Sequence, residues 1–165
     1  MTAFRALLAA LVMIAFVGPA GAADSTYRDP RQPSFTLLVP DGWTAEPNDQ
    51  GVMLRRDDSY FMLRVTGGAT SPGAMLVQLR PQFERQWKPF REVEAGRVVF
   101  GGQDAAYAVY AGVPPSGIES IARIVAMTNG RLTFVAFEGT QADKTPQRTA
   151  ELNRIERSFA PDATR

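Results

Sequence analysis

Two acidic side chains in the middle of the chain have a type and spacing that could carry out chemistry. Glu92 and Glu94 alternate onto one face of a segment that reads as extended, and Arg97 follows them closely. A glycosidase needs two carboxyl groups about 5–9 Å apart in a cleft, and sequence spacing alone does not establish that separation. We therefore interpret them as exposed charges at a strand end and keep a carboxylate-dependent hydrolase as an alternative function.

A second acidic group could hold a calcium ion. Asp57 and Asp58 are adjacent, and Asp41 or Asp49 in neighbouring turns could add a further carboxylate. The sequence contains no D-x-D-x-D-G loop, which is the pattern of a calcium-binding hand. Two arginines directly precede the aspartate pair, so a neutralised surface turn is the interpretation we favour. A small-molecule or Ca²⁺ binding module remains a second alternative.

Several residue types that carry common chemistry are absent from this sequence. It has no His and no Cys, which excludes a Ser-His-Asp triad, thiol catalysis, and zinc or iron–sulfur sites built on those side chains. Lys88 and Lys144 are the lysines, so a Ser–Lys dyad has few candidates. Gly101 and Gly102 lack a G-x-G-x-x-G pattern, and the residues after them read as strand, which indicates a turn. We predict no catalytic residues, no metal ligands and no cofactor.

The amino-terminal segment predicts export. Arg5 precedes an uncharged apolar run at 6–17, which has the length of the hydrophobic region of a secretory signal, and small residues follow up to Ala22. The run is shorter than the ~20 apolar residues of a transmembrane helix. We expect a signal peptide at 1–22 cleaved after Ala22, a periplasmic or secreted protein, and no stable membrane anchor after cleavage. An uncleaved anchor is the alternative.

The charge and size of the remaining chain limit its partners. Cleavage would remove one base and leave 17 basic and 17 acidic side chains, because the whole chain has 18 and 17. A neutral chain argues against nucleic acid, which requires a basic surface. Its length and the 45% hydrophobic composition predict one domain with a sizeable core. We assign an extended lead-in to 23–33, a single domain to 34–160 and a tail to 161–165.

The pattern of apolar residues and turns predicts three strands, a helix, four strands and a second helix. Short polar or glycine-containing loops join most strands, which favours a mainly antiparallel sheet of about seven strands in an α+β fold. The predicted strands are 35–39, 52–56, 60–66, 97–100, 104–111, 118–127 and 132–137. The Asn129-Gly130 pair predicts a type I′ turn.

Both helices begin with a capping signal. Ser71 followed by proline marks the first helix, and Thr145 followed by proline marks the second. We expect Pro81 to kink or divide the first helix. Its apolar stripe predicts a core-facing side, with a ligand or partner groove as the alternative, and comprises Met75, Leu76, Leu79, Phe83 and Trp87. The buried side of the second helix is predicted to be Leu152, Ile155 and Phe159.

Three stretches together resemble the PsbP-like family and its bacterial DcrB-like relatives. Residues 34–43 (SFTLLVPDGW) resemble the family's opening F-x-(aliphatic)-x-x-P-x-G-W motif, residues 101–106 (GGQDAA) its G-G-x-x-A strand entry, and residues 152–159 (LNRIERSF) its closing I-x-x-S-F helix. The resemblance implies an α/β/α sandwich on an antiparallel sheet. We interpret the matching residues as structural, and they are Pro40, Gly42, Trp43, Gly101, Gly102 and Phe159.

The same resemblance gives the functional expectation. Members of the family are mostly accessory or protein-binding domains without a known reaction, and some are implicated in metal binding. This sequence lacks the lipobox cysteine of many bacterial relatives, so lipid attachment is not expected. Together with the missing catalytic residue types, the resemblance predicts a non-catalytic exported accessory protein that binds an unidentified periplasmic or envelope protein, and no nucleic acid. Trp43 and Trp87 could instead form an exposed recognition patch, although burial in a core is the commoner use of tryptophan.

Overall fold

A computed structural model of the chain describes residues 23–29 and 34–162. The predicted signal peptide and the cleavage position Ala22 lie outside the described residues. The strands are β1 (Ser25–Arg28), β2 (Phe35–Val39), β3 (Thr44–Asn48), β4 (Gly51–Arg56), β5 (Ser59–Gly67), β6 (Phe90–Phe100), β7 (Gln103–Gly112), β8 (Ser120–Thr128), β9 (Leu132–Gln141) and β10 (Ala160–Pro161). The helices are α1 (Pro72–Gln86), a short 3₁₀ turn (Ala142–Lys144) and α2 (Thr145–Ser158).

The main sheet has seven strands in the order β3-β4-β5-β9-β8-β7-β6. Every neighbouring pair in it is antiparallel, which confirms the predicted sheet type and the α+β class. The set of strands differs from the predicted one, because β2 forms a separate three-stranded sheet with β1 and β10, while β3 joins the main sheet. The predicted lead-in therefore contains a paired strand.

The two helices cover opposite faces of the main sheet. On β8, Val125 and Met127 pack in the cluster that contains Leu152 and Ile155 of α2. Ile124 and Ala126 belong instead to the cluster that contains Leu79 of α1. Because neighbouring residues of a strand point to opposite faces, this alternation places one helix on each side of the sheet. The predicted α/β/α sandwich is confirmed.

Helix α1 is capped as the sequence predicts but is not divided at proline. The Ser71 hydroxyl accepts a hydrogen bond from the backbone N–H of Ala74 at 3.4 Å, and proline occupies the first turn. Pro81 lies inside one continuous helix, so the predicted division is wrong. Its missing N–H leaves free the carbonyl of Val77, whose side chain is 73% exposed, so water can satisfy that carbonyl.

Helix α2 begins one residue earlier than its capping signal predicts, because Thr145 was expected at the cap position. Lys144 occupies the cap position without a side-chain hydrogen bond, and Thr145 is the first helical residue, directly after the 3₁₀ turn. The predicted buried side is confirmed, since Leu152, Ile155 and Phe159 are each at most 5% exposed. Phe159 ends the helix and stacks on Phe100 of β6 with ring centroids 4.2 Å apart.

Candidate functional site

The predicted carboxylate pair is separated by the sheet itself. A register shift lies between Glu92 and Glu94 in the pairing of β6 with β7. Glu92 forms an ion pair with Arg80 of α1 at 3.1 Å, whereas Glu94 accepts a hydrogen bond from the hydroxyl of Tyr107, whose ring packs against the cluster under α2. The extra residue of the bulge reverses the alternation, so the two carboxylates point to opposite faces. The expectation that they share one face is wrong, and they cannot act together across one substrate.

The acidic turn between β4 and β5 is neutralised by the region around α2. Asp57 and Asp58 form ion pairs with Arg148 and Lys144 respectively. The hydrogen bond from Lys144 holds the pKa of Asp58 below its ordinary range. The structure thus pairs this turn with cations from distant sequence, not with the arginines that precede it. Within 23–29 and 34–162, no group of three or more acidic side chains is placed to hold a metal ion.

The motif at Pro40, Gly42 and Trp43 forms a turn that directs an aromatic ring into the core. The backbone N–H of Trp43 donates to the carbonyl of Pro40 at 3.0 Å, and Gly42 adopts a φ of +77°, which favours glycine. The Trp43 ring is 6% exposed, and its indole N–H donates to Glu151 of α2 at 2.9 Å. Trp43 and Trp87 lie in or beside different clusters on opposite faces, so they do not form one patch.

Gly101 and Gly102 form the turn that joins β6 to β7. Both have positive φ, +59° and +75°, in the region that favours glycine. A Cβ added at Gly101 would come within 2.6 Å of the Phe159 ring, whereas the space around Gly102 is open. The turn therefore also makes room for the aromatic ring at the end of α2.

A large concavity lies on the face of the main sheet that carries α1. Helix α1 packs mainly on β7 and β8, so it leaves the surface of β5 and β9 beside it uncovered. The carboxyl-terminal half of α1, the β7–β8 loop and this uncovered surface enclose a cleft of about 610 Å³. We call it the α1 cleft. Its apolar lining is Tyr60, Met62, Phe83, Trp87, Pro114, Pro115, Ile118, Ile121 and Phe137.

The floor of the α1 cleft depends on a glycine. Tyr60 of β5 pairs directly with Gly139 of β9, and a Cβ at Gly139 would lie 2.3 Å from the Tyr60 ring. The absent side chain therefore lets the ring lie flat against β9. Burial raises the pKa of the Tyr60 hydroxyl, so it remains a neutral hydrogen-bonding group at physiological pH.

Polar side chains surround this apolar floor. Arg64 hydrogen-bonds to the side chain of Gln50, and Asp58 is paired with Lys144, so each charge at the rim has a partner. Gln82 and Gln86 of α1, with Ser116, Ser120 and Gln141, supply neutral hydrogen-bonding groups. The arrangement presents an apolar surface with a polar border, and this is a binding geometry without an acid–base pair.

Sequence reasoning located one wall of the cleft and missed the others. Phe83 and Trp87 belong to the apolar stripe of α1 and line the cleft, whereas the other members of the stripe pack on the sheet. The core-facing interpretation therefore describes one part of the stripe, and the groove alternative describes the other. The sequence pattern did not identify the other walls of the cleft, which are formed by Tyr60, Gly139 and the β7–β8 loop. The Pro114-Pro115 pair in that loop, next to a helix with exposed glutamines, is the feature that could have drawn attention to it.

Within the described ranges, no helix combines the length and apolar character needed to cross a membrane.

Comparison with known proteins identifies the fold. No family model and no curated protein sequence matches the chain. Among solved structures, the chain is similar to the cyanobacterial PsbP (CyanoP) of Synechocystis, at 14% identity and a TM-score of 0.59 over 88% of this chain and 96% of that one. It is also similar to LpqN of Mycobacterium tuberculosis, at 14% identity and a TM-score of 0.64 over 85% and 91% of the two chains.

A third similar structure is the Ran-binding protein Mog1p of Saccharomyces cerevisiae, at 8% identity and a TM-score of 0.53 over 82% of this chain and 94% of that one. Identities this low establish the fold alone. The antiparallel sheet between two helices and the similarity over nearly the whole length of these structures confirm the resemblance read from the sequence, and the chain has the PsbP-like fold.

Proposed function

We propose that this protein is a non-catalytic accessory protein of the cell envelope, exported from the cytoplasm, that binds a segment of another envelope protein in the α1 cleft. The observation that carries the proposal is the cleft itself, with about 610 Å³ of space above an apolar floor that neither helix covers. A concave, mainly apolar cleft with a few polar groups is the usual form of a binding site.

The composition of the α1 cleft supports a protein partner. Interface cores are enriched in Tyr, Trp, Phe, Met and Arg, and depleted in Lys, Glu and Asp. The lining contains four aromatic rings, together with Met62 and Arg64, and its one acidic residue is Asp58. Of the two charged residues at the rim, Asp58 is paired with Lys144, and Arg64 donates a hydrogen bond to the neutral side chain of Gln50.

The non-catalytic part of the proposal has two supports. Glu92 and Glu94, the carboxylates that a hydrolase would need, point to opposite faces of the sheet. The solved structures with this fold include LpqN, described as involved in cell envelope biogenesis, and Mog1p, described as Ran-binding. These descriptions name a binding or envelope role. The signal peptide predicted at 1–22 supports the assignment to the cell envelope.

A substitution at the rim tests the proposal without disturbing the core. Ile118 lines the cleft and is 47% exposed, so Ile118→Asp places a charge where the partner would pack. Val99→Asp is the matched control, because Val99 is 67% exposed on β6 and does not line the cleft. The mature domain and both variants are used to capture partners from envelope extract, and the binding of each captured protein is then measured with purified components.

We expect one protein whose binding is at least tenfold weaker to the Ile118→Asp variant and unchanged with Val99→Asp. A tenfold loss corresponds to about 1.4 kcal/mol of binding free energy. Equal binding to both variants would place the interface elsewhere. Turnover of a glycan or ester that is lost on removal of one carboxylate would refute the non-catalytic assignment.

The volume of the cleft favours one second candidate. Small-molecule sites typically enclose about 300–1,000 Å³ with an apolar lining and a few polar groups, and the α1 cleft falls in that range. Native mass spectrometry of protein purified from its own envelope distinguishes the two functions. A co-purifying small molecule that the wild type and Val99→Asp retain and Ile118→Asp loses would establish the small-molecule function.

A further inference from the structure

A second, smaller cleft lies on the opposite face of the sheet, beside α2. It has a volume of about 130 Å³, roughly that of four water molecules in the liquid. Its walls are apolar at Val109, Ile121 and Leu152, and Asn153 lies among its lining residues. The side chain of Glu138 from β9 lines it as well, so we call it the Glu138 cleft.

Glu138 is an unusual residue for a sheet interior. It is 5% exposed, and its Oε1 atom is inaccessible to solvent and has no hydrogen-bond partner among the described residues. The nearest cation is Arg123 of β8, whose Nη1 lies 3.8 Å from Oε1, beyond hydrogen-bonding distance. A buried carboxylate without hydrogen bonds is costly, which suggests a purpose other than stability.

Arg123 forms a long ion pair with Glu138 and makes two further contacts. Its guanidinium donates a hydrogen bond to Glu156 of α2 and lies over the ring of Tyr107, 5.0 Å from the ring centroid. Tyr107 is fixed in turn by its hydrogen bond to Glu94 of β6. One guanidinium therefore lies between two carboxylates, so this group of three side chains carries one net negative charge when Glu138 is ionised.

We propose that the Glu138 cleft is a binding site for a primary ammonium group. An ammonium carries the single positive charge that balances the net negative charge of Glu138, Glu156 and Arg123, and it donates hydrogen bonds to a carboxylate. The apolar walls accommodate an alkyl chain behind the charged group, as amphipathic side chains require. A metal ion fits less well, because calcium needs six to eight oxygen ligands and Glu156 is already engaged by Arg123.

Two sources can supply this group, a free amine or a lysine side chain of another protein. Ile121, Gly139 and Thr140 line both clefts, but Glu138 and Arg123 line this one and not the α1 cleft, so the proposal does not depend on the proposed function. Three probes separate the sources. They are n-butylammonium, its neutral isostere n-butanol, and Nα-acetyl-lysine-methylamide with the norleucine analogue as its control.

The experiment follows the carboxyl carbon of Glu138 by NMR in the mature domain while each probe is titrated. We expect n-butylammonium to shift this signal at pH 8 and n-butanol to leave it unchanged. Burial raises the pKa of Glu138 to about 7, so at pH 5.5 the carboxyl is protonated and the affinity falls at least tenfold. The charged groups that face Glu138 are Arg123, 3.8 Å away, and Glu156, which accepts a hydrogen bond from Arg123.

Two variants complete the test, with binding followed by calorimetry. Glu138→Gln removes the charge at nearly constant size and is expected to weaken n-butylammonium binding at least tenfold. Glu46→Gln on the exposed edge strand β3 is the matched control and leaves it unchanged. Binding of the lysine probe but not of its norleucine analogue assigns the site to a protein lysine, and binding of n-butylammonium alone assigns it to a free amine. Binding of neither amine, or equal binding by n-butanol, overturns the proposal.

Discussion

Replacing Glu138 with glutamine should stabilise the protein at alkaline pH and should have little effect in acid. Burial raises the pKa of this carboxyl from its ordinary value of 4.5 to about 7, and Arg123 offsets only part of that effect. Below pH 4.5 the group is protonated in both the folded and unfolded chain. As the pH rises to about 7, the unfolded chain releases the proton while the folded protein retains it, so the free energy of unfolding falls.

The size of the effect follows from the two pKa values. Each pKa unit corresponds to about 1.36 kcal/mol, so the ionised carboxylate costs roughly 3 kcal/mol of stability at pH 8. Glutamine cannot ionise, so this pH-dependent cost disappears in the variant. In a domain of this size, a change of roughly 3 kcal/mol moves the melting temperature by about 10 °C.

Urea denaturation of wild type and Glu138→Gln at several pH values between 4.5 and 8 measures this difference directly. Any packing cost of the glutamine side chain relative to the glutamate is the same at every pH. The pH dependence of the difference in unfolding free energy between wild type and variant therefore measures the cost of ionising Glu138. Asp58, whose pKa Lys144 holds below the ordinary 3.8, titrates outside this range. A stability difference that stays constant from pH 4.5 to 8 would show that Glu138 titrates normally and would refute the reasoning.

Three further predictions concern structure and processing. Trp43→Ala should lose about 3–5 kcal/mol in thermal denaturation because a buried ring is removed, and an unchanged melting temperature would contradict its place in the core. Gly101→Ala should cost roughly 3 kcal/mol because of its positive φ and the collision with Phe159, whereas Gly102→Ala should cost about 1 kcal/mol for backbone strain alone; equal costs would contradict the close approach. Amino-terminal sequencing of the exported protein should show cleavage after Ala22, and retention of the segment would indicate an anchor.

Strands with a strong pattern of apolar residues were predictable from the sequence. A polar strand that forms only because it pairs with a neighbouring strand was not. The β8–β9 hairpin has a continuous apolar pattern and a glycine turn, and both strands form as expected. Asn129 does not adopt the positive φ that a type I′ turn requires, because its side chain instead accepts hydrogen bonds from the N–H groups of Arg131 and Leu132. Strand β3 is polar and contains Pro47, and it forms because it pairs at the sheet edge with β4.

The separation of Glu92 from Glu94 shows how one residue can decide a functional hypothesis. A regular strand would have placed both carboxylates on one face, which is what their spacing predicts. The bulge between them inserts one residue, so Phe90 and Glu92 face α1 while Glu94 and Phe100 face α2. No residue type in this stretch signals a bulge, so the spacing of the two glutamates alone could not reveal it.

The α1 cleft was beyond sequence reasoning for a related physical cause. An apolar stripe on α1 predicts that the helix packs on the sheet, but it does not predict which of seven strands it covers. Since α1 lies over β7 and β8, the surface of β5 beside it stays open, and Tyr60 and Met62 become cleft residues although their alternation reads as ordinary core. The position of α1 is fixed by contacts between rings far apart in sequence, such as Phe83 against Tyr110 at 5.1 Å. The α1 cleft therefore depends on which strands the helix covers, and tertiary packing decides this. In the sequence, the residues that line the cleft have the same apolar pattern as residues of a fully covered core.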